Sequence, residues 1–182
     1  MGVIGFVLMF LEFPIPALIP SFIKLDFSEI PAVITTFALG PVWGVLVCLI
    51  KNLLHLFDSS SGGVGELANF LLGAVFVFTA GMIYRFHRTR KGALIGALIG
   101  AILMAVLSVP INYFITYPVY TAFIPMEAII GMYQAILPAA NTLLKALLIF
   151  NLPFTFIKGL IDAAFCFIVY KKLSPILKID KN

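Results

Sequence analysis

The chain has 182 residues, of which 62% are hydrophobic and only 11% charged, and its mean hydropathy is +1.13. No soluble domain of that length buries so much apolar surface, so a membrane protein is expected. The formal charge of +4 needs no nucleic acid to explain it, because basic loops beside apolar spans are the usual topology signal. The two cysteines, Cys48 and Cys166, both sit in apolar runs, where a small buried side chain is the expected role rather than a disulfide or metal ligand.

About 20 apolar residues cross the hydrocarbon core, and apolar segments fill the whole sequence, giving one integral membrane domain over residues 1–182. Residues 1–13 are apolar but short for a span, and the sequence is read as beginning partway through its first helix. Residues 30–50 are long enough for one span, yet Gly40-Pro41 interrupts them. Proline suits a helix start better than an interior, so two short helices are predicted, one ending near Gly40 and the next running from Pro41 towards Phe57. Clear spans follow at residues 67–84, 92–109 and 152–170. The fold expected is an all-α bundle of six transmembrane helices.

Charge sets the orientation. Of the 12 Lys and Arg residues, four lie at Arg85, Arg88, Arg90 and Lys91 and four in the tail at Lys171, Lys172, Lys178 and Lys181. Both regions are expected in the cytoplasm, and with six spans both termini are inside. The remaining connections then face out. Residues 128–137 are too short to span and read as an interfacial or re-entrant helix over the outer end.

This orientation gathers polar residues in the outer third. A sixth helix starting at Asn151, with Asn as cap and Pro153 in its first turn, puts Lys158 roughly 10 Å below the outer surface at 1.5 Å per residue. Asn69 lies near the start of helix four, Lys51 and Asn52 near the outer end of helix three, and Asn112 near that of helix five. The inner half of helix five instead carries Gly92, Gly96 and Gly100, a small-residue ridge that lets helices approach closely. A bundle polar above and closed below describes an outward-facing pocket.

An ionisable group at membrane depth costs roughly 2.5 kcal/mol or more, so Lys158 and Asp162 need partners. Being one turn apart, they can neutralise each other, or Lys158 can meet a ligand with Asp162 holding its head. Asn69 and Asn112 serve equally as interhelical hydrogen bonds or ligand contacts. Lys51 is placed to snorkel to the surface, and His55 to sit at the interface. Tyr113, Phe114, Tyr117 and Tyr120, with Phe22 and Phe27 in the first outer loop, belong partly to an interfacial belt and partly to the aromatic wall of a pocket for a flat heterocycle. No nucleotide-binding loop, HExxH or carboxylate cluster for magnesium occurs in the sequence, so no catalytic role is expected.

In order along the chain, Met9-Phe-Leu-Glu12-Phe-Pro-Ile-Pro16, Leu25-Asp26-Phe-Ser28-Glu29-Ile-Pro31, Thr36-Phe-Ala-Leu-Gly40-Pro41, Lys51-Asn52-Leu-Leu, Ala68-Asn69-Phe, Asn112-Tyr-Phe and Pro153-Phe-Thr155-Phe-Ile-Lys158-Gly resemble the riboflavin-specific S components of energy-coupling factor (ECF) vitamin transporters. The resemblance implies a prokaryotic plasma-membrane subunit that captures riboflavin from outside as substrate, with no cofactor of its own. Release inward would need a transmembrane coupling protein and two ATPases. Lys158 and Asn112 match positions that hydrogen-bond the flavin ring in the family. Thr155 sits where relatives can carry asparagine, Asp26 and Phe27 fall in the loop expected to form a lid, and Asn69 is a candidate for the ring or the ribityl hydroxyls.

The sequence departs from the family in its first helix, where Gly2 and Gly5 are spaced three apart rather than carrying alanines four apart for docking on the coupling protein. Two alternatives stand beside this reading: an S component for another vitamin, and a membrane scaffold without transport in which the same polar residues only hold helices together.

Overall fold

The computed structural model describes residues 1–16, 19–21, 23–59 and 61–177, with side chains described as far as residue 168. Phe22, Lys178 and Lys181 lie outside the described residues, as do the side chains of Lys171 and Lys172. Nine α-helical segments are described. The chain opens with α1 (Gly2–Met9), followed by a short antiparallel hairpin of β1 (Phe13–Pro14) and β2 (Lys24–Leu25). Helices α2 (Glu29–Leu39) and α3 (Pro41–His55) meet at Gly40, whose φ of 112° is a conformation that glycine adopts without steric penalty. Pro41 then supplies the first helical residue, where its missing N–H costs nothing. The predicted break at Gly40-Pro41 is therefore observed.

Next come α4 (Val64–Phe86) and α5 (Arg90–Ile111), the latter capped by Thr89, whose hydroxyl accepts from Gly92 N at 3.0 Å. The helix does not stop near Val109. It continues through a π-helical turn (Asn112–Thr116) into α6 (Tyr117–Tyr120), making one apolar stretch of Arg90–Tyr120. The last helix departs from expectation in the same way, because it starts at α8 (Leu143–Ala146), capped by Thr142, passes through a second π-helical turn (Leu147–Asn151) and runs on as α9 (Leu152–Leu177). Asn151 is thus inside a continuous helix rather than its cap. Pro110 and Pro153 flank the two π turns. Each removes one backbone donor, and a wider turn nearby absorbs the mismatch without ending the helix. Between them lies the short α7 (Met126–Gln134), the non-spanning helix expected over residues 128–137.

Four helical stretches are long and apolar enough to cross a membrane: Pro41–Asp58, Val64–Phe86, Arg90–Tyr120 and Leu143–Ile168; the shorter Glu29–Leu39 is also apolar. One core joins α2, α3, α4, α5 and α9 around Val33, Val47, Phe76, Met104 and Cys166. The glycine ridge of α5 makes this packing close, since a Cβ on Gly96 would lie 2.7 Å from the Ala80 carbonyl oxygen and one on Gly100 2.8 Å from that of Phe76. The ridge is an internal α4–α5 contact, as its spacing suggested. Gly2 and Gly5 also face inward, against Ile50 and Lys51 of α3, so they are not an outward docking face. A second core, around Tyr117, Tyr133, Leu147 and Phe150, ties α7 to α6 and the start of the last helix.

Candidate functional site

The ends of the helices remote from the basic α4–α5 connection enclose a cavity of about 190 Å³. Its walls come from α1, the hairpin, and the facing parts of α2, α3, α4, α5, α6 and α9. Asp26, Asn69, Asn112, Thr155 and Lys158 all line it. Phe27 does not line it; its ring packs on Phe13 and Phe165, with centroids 6.2 Å and 5.2 Å away, and so anchors the loop that carries Asp26.

Lys158 reaches from α9 to that loop. Its ammonium donates to Asp26 Oδ2 at 2.6 Å and approaches the Asp26 carbonyl at 3.4 Å. The intrahelical pairing of Lys158 with Asp162 is therefore not formed, and both Asp162 oxygens are buried without a hydrogen-bond partner. The other Asp26 oxygen accepts from Ser28 N at 2.8 Å and from the Ser28 hydroxyl, and Asn69 Nδ2 donates to Oδ2 at 3.4 Å. Burial pushes the Asp26 carboxyl up, but Lys158, then Lys51, together with the Lys158 and Ser28 hydrogen bonds, outweigh it and hold the group well below the usual carboxylate range.

A second lysine pair lies behind this one. Lys51 does not snorkel to the surface. It is fully buried and donates to Glu29 Oε1 at 2.6 Å, Asn69 Oδ1 at 2.9 Å and Ser28 Oγ. The second Glu29 oxygen accepts from Cys48 Sγ at 3.3 Å, and the carboxylate fits because Gly73 leaves room, a Cβ there falling 2.4 Å from Oε1. Asn69 joins the two pairs, accepting from Lys51 while donating to Asp26. Such a network fixes the loop and α2 against α3, α4 and α9, because breaking a buried pair leaves an uncompensated charge.

Elsewhere in the cavity wall, His55 Nδ1 meets Glu66 Oε1 at 2.7 Å, and Ser59 and Ser61 donate to Glu66 Oε2 at 2.8 Å and 3.0 Å. His55 is thus buried and hydrogen-bonded to Glu66. On the opposite wall Tyr133 donates to Asn151 Oδ1 at 2.6 Å, and Asn151 Nδ2 donates to Tyr117 at 3.3 Å. Of the aromatic candidates, Tyr117 and Tyr120 line the cavity, whereas Tyr113 and Phe114 are exposed.

Against these satisfied networks, three lining groups have spare capacity. The side chains of Asn112 and Thr155 have no hydrogen-bond partner among the described residues, and the buried Thr116 hydroxyl has none either. Asn112 and Thr116 sit on the π turn, which redirects side chains at functional sites. Sequence reasoning missed Thr116, Glu29, Glu66 and Asn151. The adjoining proline was the available signal for Thr116 and Asn151, while the carboxylates carried none beyond their place at the start of apolar helices. No group of His, Cys, Asp and Glu that could hold a metal is present among the described residues.

The arrangement offers a lysine ammonium, an asparagine amide and two hydroxyls around an enclosed space with Phe154 and two tyrosines in its walls. It can bind a compact heterocycle.

Residues 1–170 match the family model described as "ECF transporter, substrate-specific component". The riboflavin transporter RibU of Staphylococcus aureus is 38% identical, the match covering 98% of this chain and 88% of the relative. The riboflavin transporter FmnP of Bacillus subtilis is 34% identical, over 98% and 90%. A solved S component of a bacterial ECF transporter superposes with a TM-score of 0.77 at 37% identity, covering 97% of this chain and 92% of that one. With bacterial relatives and four membrane-length apolar helices, the chain is a multi-pass protein of a prokaryotic plasma membrane. It belongs to the substrate-specific components of ECF transporters, and is a transport subunit rather than an enzyme.

Proposed function

We propose that this chain captures riboflavin from outside and releases it inward when docked on a partner module, made of a transmembrane coupling protein and two ATPases. The observation that carries this is the set of unengaged polar groups in one cavity: Asn112, Thr116 and Thr155, with Lys158 beside them. A flavin ring has carbonyl and ring-nitrogen edges that take hydrogen bonds and flat faces that pack on aromatic and apolar walls. Lys158 donates to a ring carbonyl in a charge-assisted bond, Asn112 supplies a donor and an acceptor to a neighbouring edge, and Thr155 supplies a hydroxyl. Asn69 and Asp26 face the rest of the ligand, and Asp26 and Phe27 belong to the loop that closes over it. The relatives' activity supports riboflavin over other vitamins.

Residues 1–182 form a single substrate-binding domain in this reading, with α1 and α2 completing six membrane helices. The cavity lies at the end of the bundle remote from Arg85, Arg88, Arg90 and Lys91, which under the positive-inside rule supports an outward-facing cavity and cytoplasmic termini.

The test is a fluorescence titration of the purified, detergent-solubilised protein with riboflavin, alongside thiamine, biotin and folate. Riboflavin is expected to be quenched stoichiometrically, and Lys158→Ala and Asn112→Ala to bind it more weakly while remaining monodisperse. Binding of another vitamin in preference, or unchanged riboflavin binding in both variants, overturns the assignment.

A further inference from the structure

The transport reading leaves one buried ionisable side chain without a task. Asp162 is fully buried in α9, and neither carboxyl oxygen has a hydrogen-bond partner. A polar group so placed carries a large desolvation penalty, and nearly all such groups in folded proteins are partnered. One helical turn away stands Lys158, whose only carboxylate hydrogen-bond partner among the described residues is Asp26. Asp26 is not on a helix. It lies between β2 and α2, in a loop over the cavity.

We propose that Asp162 is the second counter-ion of Lys158, which takes the ammonium when the loop carrying Asp26 moves away or a ligand displaces its carboxylate. The geometry supports the exchange. Residues i and i+4 on a helix face the same side with Cβ atoms about 5–6 Å apart, within reach of a flexible lysine head. Helical side chains lean toward the N-terminus, so Asp162 is directed at the turn that bears Lys158. Gly159, between them in sequence, packs tightly on Ala101 and Met104 of α5, which keeps this part of α9 fixed while the loop moves. Opening the cavity would otherwise strand a cation deep in the bundle. With Asp162 in place, loop movement exchanges one carboxylate for another, and Lys158 stays charged and positioned to donate to an incoming ligand.

The inference builds on the proposed binding function, but its test needs no ligand and so fails or succeeds separately from riboflavin binding. Thermal unfolding is measured for purified Asp26→Asn, Asp162→Asn, the double variant and the double variant with Lys158→Met. Each single change leaves Lys158 one carboxylate and should lower the midpoint by about 3 °C or less, whereas the double should lower it by more than about 10 °C. Adding Lys158→Met to the double should recover at least half of that loss, because the stranded charge is gone. If the double does not fold at all, recovery of folded protein by Lys158→Met supports the exchange, and failure to recover overturns it. Additive losses, or losses unaltered by Lys158→Met, also overturn it, since Asp162 would then act independently of the lysine.

Discussion

Lys51 and Lys158 both lie in apolar helices and both meet a carboxylate at 2.6 Å, yet their surroundings differ. Lys51 spends its three donors on Glu29, Ser28 and Asn69 and has no access to solvent. Among the described residues Lys158 is hydrogen-bonded to Asp26 alone, on the loop between β2 and α2, and its side chain borders the cavity with 12% exposure. A buried lysine is therefore not a binding residue by virtue of being buried. What separates the two is unspent hydrogen-bonding capacity and a path to a ligand.

The largest effect expected from this contrast is on folding. Lys51→Ala leaves Glu29 buried with only a thiol as donor, at a cost of about 3–5 kcal/mol. The variant should be lost to aggregation or show a strongly lowered unfolding midpoint in detergent, and Lys51→Met with Glu29→Gln should restore much of it. A Lys51→Ala protein as stable as the parent would show that the sealed pair is not structural.

At Lys158 the change should fall on binding instead. Losing one charge-assisted hydrogen bond removes about 1.5–3 kcal/mol, so Lys158→Ala should bind riboflavin roughly 10- to 100-fold more weakly. Its unfolding midpoint should move far less than that of Lys51→Ala. Equal losses of stability in the two variants, with riboflavin affinity unchanged at Lys158, would erase the distinction. Between these cases stands the α4–α5 contact, which touches neither pair. Gly100→Leu must push against the Phe76 carbonyl and should cost about 1–3 kcal/mol of stability without changing the affinity of the protein that remains folded.

Much of this contrast was legible in the sequence, and the rest was not for identifiable reasons. Gly40-Pro41 marked a helix boundary because both residues constrain backbone geometry locally. The α5 ridge was readable because three glycines repeat at helical spacing. Pro153 misled, since a proline that suits the first turn of a helix is also tolerated inside a membrane helix when a π turn absorbs the mismatch. Lys51 misled for another reason. Its proximity to a helix end suggested snorkelling, but its partner Glu29 lies on a different helix, and no local pattern connects them. Lys158 was singled out correctly as a cavity residue, whereas its partner was misjudged: Asp162 is near in sequence, Asp26 is near in space.

The smallest effect expected concerns pH. Because Asp26 has its ionisation held below the usual carboxylate range, the stabilisation it gains from Lys158 is fully present above the unfolded-state value of about 3.9 and is lost as pH falls through the lower folded-state value. The difference in unfolding midpoint between the parent and Asp26→Asn should accordingly stay constant from pH 8 to about pH 5 and shrink only below about pH 4. A gap that already closes between pH 7 and pH 5.5 would mean that the carboxylate is not held by the two lysines. A constant gap would assign the loop's attachment to an ion pair that ordinary changes of external pH do not loosen, leaving ligand contact and Asp162 as the means of releasing it.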